Sequence, residues 1–121
     1  MKYSLLVASL GIASFLVANT ASADVAKGEA SFKKNCVVCH SNKPGEKKIG
    51  PNLSGLAGRD GGTEAGFKYS EGFGAGVKWD AANLQKFLEN PKAMYPKTKM
   101  TFPGMKDAAE RADLLEYLGV K

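Results

Sequence analysis

The chain has 121 residues, 44% of them hydrophobic and 24% charged, with 17 basic against 12 acidic side chains and a formal net charge of +5. This is one small domain's worth of chain, too rich in apolar residues to be disordered, and its lysines are too scattered, with no accompanying motif, to mark a nucleic-acid binder. Two cysteines and a single histidine exclude a four-ligand structural zinc site and a disulfide framework of several bridges.

The N-terminus reads as a secretory signal peptide over residues 1–23: Lys2, an apolar stretch from Leu5 to Ala18, then Ala21-Ser22-Ala23 as an A-x-A cleavage site. Its apolar core is shorter than the roughly 20 residues a helix needs to cross a bilayer, so cleavage after Ala23 is expected rather than stable membrane insertion. The domain, residues 24–121, would then work in the periplasm or an equivalent exported space.

Three helices are expected in it. The first spans about Val25 to Asn35, with Gly28 and Phe32 four apart on one face. The second follows Asp80, a good N-cap, carries Leu84, Phe87 and Leu88, and is stopped by Asn90-Pro91. The third opens with Asp107 and Glu110 in capping-box spacing, carries Leu114, Leu115, Tyr117 and Leu118, and ends at Gly119. No segment alternates as a strand. Ten glycines between Gly45 and Gly76 make that stretch loop. Ile49, Leu53, Leu56, Phe67, Tyr69 and Phe73 interleave them, followed by Trp79, so the loop has something to pack against rather than serving as a linker.

Between the first helix and these loops stands Cys36-Val37-Val38-Cys39-His40, a C-x-x-C-H run. Each thiol of such a run can close a thioether to one porphyrin vinyl group, which holds the following histidine beneath the iron as an axial ligand. A redox or structural Cys36–Cys39 disulfide is the competing reading, and it leaves His40 without a role. A second axial ligand would have to be a soft donor, and Met94, Met100 and Met105 are the candidates. Met100 sits in a proline-bounded loop, Pro96 to Pro103, that can present a thioether; Met94 and Met105 are expected to fill core space.

These elements together resemble the class I cytochromes c. The likeness lies in Gly28 and Phe32, the C-x-x-C-H run, Gly50-Pro51-Asn52-Leu53-x-Gly55-Leu56-x-Gly58-Arg59, Tyr69, Trp79 and Leu88-Glu89-Asn90-Pro91. It continues through Pro96-x-Thr98-Lys99-Met100-x-Phe102-x-Gly104 and Arg111-Ala112-Asp113-Leu114-x-x-Tyr117-Leu118.

The resemblance implies an all-α cytochrome c fold, three main helices plus loops wrapped around one haem c bound covalently through Cys36 and Cys39. His40 and Met100 would be the iron ligands. The Pro51 carbonyl would accept a hydrogen bond from His40; Arg59, Tyr69 and Trp79 would hold the inner propionate; Thr98 would lie near the other edge, and Phe102 would pack over the haem. Gly28 would sit where the first and last helices cross. Phe87 replaces a tyrosine that often bonds the axial methionine, so that bond should be absent.

The implied function is one-electron transfer by a monomeric carrier in a respiratory or photosynthetic chain, not an enzyme. Its redox partners would dock on a lysine face drawn from Lys33, Lys34, Lys48, Lys92, Lys97, Lys99 and Lys106. A haem peroxidase or gas-binding protein with a labile Met100 is the alternative within haem chemistry.

Overall fold

The computed structural model describes residues 11–15 and 22–121; most of the expected signal peptide lies outside them, and residues 11–15 are irregular and exposed. No helix among the described residues is long and apolar enough to cross a membrane.

The first long helix, α1 (Val25–Asn35), starts where the Asp24 carboxylate accepts from the Lys27 amide at 3.1 Å. In the same way Asp80 caps α2 (Ala81–Glu89) through the Asn83 amide at 2.8 Å. Asn90 then ends α2 and at once caps a short additional helix, α3 (Pro91–Met94), accepting from the Ala93 amide at 3.2 Å while Pro91 takes the first turn. The last helix, α4 (Ala108–Tyr117), is capped by Asp107 and closed by Gly119, whose φ of 73° lets Val120 N–H return to the Leu115 carbonyl at 2.9 Å.

The expected capping box is only half formed. Asp107 accepts from the Ala109 and Glu110 amides, but the Glu110 carboxylate reaches instead across to α1, where Ser31 Oγ donates to it at 2.8 Å. A buried hydroxyl on a neighbouring helix outcompetes the local amide, since Ser31 is only 5% exposed and needs a partner.

Helix α1 packs on α4, and α2 packs on both α4 and α3. Gly28, Phe32, Leu114 and Tyr117 meet at the α1–α4 crossing, with the Phe32 and Tyr117 ring centroids 5.5 Å apart. The Asp24 backbone N–H adds a hydrogen bond to the Asp113 carboxylate at 2.7 Å beside it. Leu84, Phe87 and Leu88 of α2 join Leu114 and Leu115 in one core cluster with Leu56, Trp79, Met105 and Val120. Arg111 is buried beside it, where Nε donates to Gln85 at 2.7 Å and Nη1 to the Met105 and Lys106 carbonyls at 2.7 and 3.1 Å.

The glycine-rich segment is irregular but not loose. Residues 58–61 run antiparallel to residues 77–79, with Trp79 N–H on the Arg59 carbonyl at 2.9 Å, Gly58 N–H on the Trp79 carbonyl at 3.0 Å and an isolated bridge between Asp60 and Lys78. That pairing sets Arg59 beside Trp79. The fold is helical, as expected for a cytochrome c; no strand occurs among the described residues beyond this bridge.

Candidate functional site

The C-x-x-C-H run leaves α1 as a tight turn, with the Cys39 and His40 amides both returning to the Cys36 carbonyl at 3.0 and 2.8 Å. This turn brings the two cysteines and the histidine onto consecutive corners of one short loop. Cys36 and Cys39 are free thiols. Burial, with smaller contributions from Cys39 and Glu110, pushes the Cys36 thiol up to about 11, so it is protonated at neutral pH and is no reactive thiolate. No group of three or more His, Cys, Asp or Glu side chains able to hold a metal ion exists among the described residues.

His40 is 9% exposed and its Nδ1 lies 2.7 Å from the Pro51 carbonyl oxygen. A carbonyl can only accept, so the proton sits on Nδ1 and the Nε2 lone pair is left for a metal. Burial holds the His40 pKa below its ordinary value, aided by Lys48 and opposed by the Pro51 carbonyl, which keeps the ring neutral at physiological pH.

The loop that carries Pro51 is held by side chains to which sequence reasoning assigned no role. Asn52 Nδ2 donates to the Lys43 and Glu46 carbonyls at 2.7 and 2.8 Å, and its Oδ1 accepts from Ser54 N–H at 2.7 Å. Ser41 Oγ donates to Glu46 at 2.6 Å, and Ser41's carbonyl accepts from Leu53 N–H at 2.8 Å. The residues following His40 and Pro51 are thus tied into one web, which fixes the spacing of the two.

Met100 lies half-buried in a loop fastened at both ends. Tyr95 N–H bonds the Pro91 carbonyl at 2.9 Å, and Met105 N–H bonds the Leu88 carbonyl at 2.7 Å. Thr98 Oγ1 accepts from the Met100 amide at 3.2 Å, so its oxygen orients the methionine backbone. Met105 is buried in the core as expected, and Met94 packs against it. Cys36, Val37, Leu53, Met100 and Phe102 are among the partly buried apolar residues packed against that core.

Trp79 is 5% exposed and lies in an aromatic group with Phe87 at 5.2 Å and Phe73 at 6.1 Å; Phe73 in turn stacks on Tyr69 at 5.3 Å. The Tyr69 hydroxyl accepts from Glu64 N–H at 3.1 Å and keeps its own proton to give. Arg59 donates Nη1 to the Ser54 carbonyl and to Glu64, and Nη2 to the Asn52 carbonyl, whereas its Nε is buried with no partner. A buried cationic N–H without an acceptor fits a site that receives a carboxylate from a bound group, and a haem propionate is such a carboxylate.

All seven lysines proposed for docking are exposed. Lys33 pairs with Glu29 and Lys97 with Glu71, each at 2.7 Å, while Lys48 donates to the Val37 carbonyl at 2.6 Å and Lys106 to the Glu89 carbonyl at 2.7 Å.

Comparison with known proteins agrees with this arrangement. The family model for cytochrome c matches residues 25–119. The chain is 48% identical over 103 residues to a cytochrome c of Chlamydomonas reinhardtii, covering 84% of this chain and 92% of that protein. It is 44% identical over 115 residues to cytochrome c2 of Blastochloris viridis, covering 93% and 90%, and 40% identical over 96 residues to cytochrome c2 of Rhodopila globiformis, covering 78% and 91%. With a matching family model over nearly all of its helices and loops, the chain belongs to the cytochrome c family, electron-transfer proteins with covalent haem c, for which Cys36 and Cys39 stand in the attachment spacing.

Proposed function

We propose that the protein is an exported one-electron carrier whose haem iron is ligated by His40 and Met100 and whose lysine face meets its redox partners. The bound haem supplies an iron that cycles between two oxidation states. The observation that carries the reading is the 2.7 Å contact from His40 Nδ1 to the Pro51 carbonyl, which presents a neutral, oriented Nε2 and strengthens it as a donor. A thioether from Met100 on the other side would raise the potential relative to two nitrogen ligands and close the iron to oxygen and peroxide. Arg59, Tyr69 and Trp79 would hold the inner propionate, and Phe102 would exclude water from the haem rim.

Lys34, Lys92 and Lys99 carry the docking reading further than the other four lysines, because among the described residues their side chains make neither an ion pair nor a hydrogen bond. Their charge steers an acidic partner and lets it leave, since exposed charges are screened within about 8 Å at physiological salt. The export reading rests on the leader-like residues 1–23.

The ferric visible spectrum tests the ligand set. The far-red sulfur-to-iron band is expected in the wild type, lost in Met100→Ala together with a gain of carbon monoxide binding, and kept in Met94→Ala. A wild-type protein that lacks the band at neutral pH and binds carbon monoxide freely would favour the peroxidase or gas-binding alternative.

A further inference from the structure

We infer that Glu64 is a positioning residue for the Arg59 guanidinium and through it sets the reduction potential of the bound haem, an inference that rests on the assignment of Arg59 to the inner propionate. A guanidinium has five N–H donors in a fixed planar fork. Here the two terminal nitrogens are turned toward the protein: Nη1 bonds the Ser54 carbonyl at 3.2 Å and Glu64 Oε2 at 3.1 Å, and Nη2 bonds the Asn52 carbonyl at 3.0 Å. Because the fork is rigid, these bonds decide where Nε points, and Nε is the buried donor with no acceptor from the chain.

Glu64 is not a loose surface carboxylate. Its backbone N–H is held by the Tyr69 hydroxyl at 3.1 Å, and the Arg59 and Glu64 side chains are only 19% and 29% exposed. Tyr69 is braced in turn by Phe67 at 4.7 Å and Phe73 at 5.3 Å. One cation is therefore shared between a protein carboxylate and the acceptor awaiting Nε. Sharing does two things: it aims Nε, and it withdraws part of the positive potential that favours the reduced, less positive iron. At this depth the effect is weakly screened by salt. Neutralising Glu64 leaves the guanidinium charge unopposed, while the amide oxygen of a glutamine still accepts from Nη1 and keeps Nε aimed, so the potential rises.

Protein-film voltammetry on the holoprotein at fixed pH and high salt tests this with Glu64→Gln, Glu64→Asp, Arg59→Gln and the Glu64→Gln/Arg59→Gln pair. The expected pattern is an upward shift for Glu64→Gln, a near wild-type value for Glu64→Asp and a downward shift for Arg59→Gln. In the double variant the Glu64→Gln shift should collapse to a small fraction of its size. An Arg59→Gln potential equal to wild type overturns the propionate assignment itself. A lowered Arg59→Gln potential with Glu64→Gln unmoved overturns the role of Glu64 alone. Equal Glu64→Gln shifts in both backgrounds show a bare charge effect and overturn the positioning role. If Arg59→Gln does not hold haem, Arg59→Lys keeps the charge and breaks the fork; the same collapse is expected there, and an undiminished shift overturns the inference.

Discussion

Gly28 of α1 rests against the backbone carbonyl of Asp113 in α4 so closely that a Cβ would stand 2.0 Å from that oxygen and 2.8 Å from the Cβ of Tyr117. The obstacle is main chain of a packed helix, which cannot swing aside as a side-chain tip can. Gly28→Ala should therefore cost about 3 kcal/mol of stability, at the upper end of what overpacking usually costs, despite alanine's better helix propensity. Denaturant unfolding of the holoprotein measures it; a midpoint equal to wild type would mean the helices part without penalty.

Gly50 guards the orientation of the His40 ring. A Cβ there would lie 2.7 Å from His40 Cε1, 2.9 Å from His40 Nδ1 and 2.9 Å from the Cys39 carbonyl. Gly50→Ala is expected to turn the ring off the Pro51 carbonyl, weaken the imidazole as a donor and raise the reduction potential. The accompanying loss of stability is about 1–3 kcal/mol. Unchanged His40 ring resonances and an unchanged potential in the variant would refute the steric account.

Met105 and Met100 separate packing from ligation. Met105 is 5% exposed in the core, so Met105→Ala should destabilise by about 2–5 kcal/mol and leave the far-red ferric band intact. Loss of the band in this variant would move the axial ligand from Met100 to Met105.

Tyr95 gives a pH dependence with a definite sign. Its hydroxyl is buried without a hydrogen-bond partner, and its ring lies tilted against Phe73 with centroids 4.6 Å apart. Burial raises its pKa above the ordinary value of 10.0; the nearby Gly74 backbone offsets part of the rise without meeting hydrogen-bond geometry. The folded state thus keeps the phenol proton to higher pH than the unfolded state does. The stability this contributes is whole below about pH 10 and is lost as pH climbs through the folded value. Tyr95→Phe should change stability by less than about 1 kcal/mol at neutral pH and flatten its decline above about pH 10. Urea midpoints of both proteins at about pH 8 and about pH 11 check this, and parallel declines would count against the assignment.

Helices α2 and α4 were legible because their ends are written in local chemistry, with Asp80 and Asp107 as caps and Asn90-Pro91 and Gly119 as stops, and α1 because Gly28 and Phe32 share one face just ahead of the C-x-x-C-H run. Helix α3 was not, since Pro91–Met94 makes a single turn, too short for a period, and Asn90 serves as stop and cap together. The pairing of residues 58–61 with 77–79 escaped because it is a backbone match across a glycine-rich loop, with no alternation to announce it. The C-x-x-C-H run could be read from its own spacing, and Pro51 and Arg59 through a family resemblance. Glu64 could not, because its significance lies in the Arg59 nitrogen it occupies, and Asn52 was visible as a motif residue without a task. Glu110 shows the same limit from the other side: its spacing fits a capping box, but Ser31, 79 positions away, decides its partner.

If the chain is exported as proposed, the hydrogen bond from the Asp24 backbone nitrogen to the Asp113 carboxylate would tie export to folding energetics. Cutting after Ala23 would convert that amide into an ammonium facing the carboxylate already 2.7 Å away, turning a neutral donor into a charged one at the α1–α4 crossing. Leader removal would then act as a maturation step that strengthens the closure of the fold only after the chain has left the compartment where it was made. The expected sign is a mature protein stabilised relative to the uncut form, with the difference abolished by Asp113→Asn.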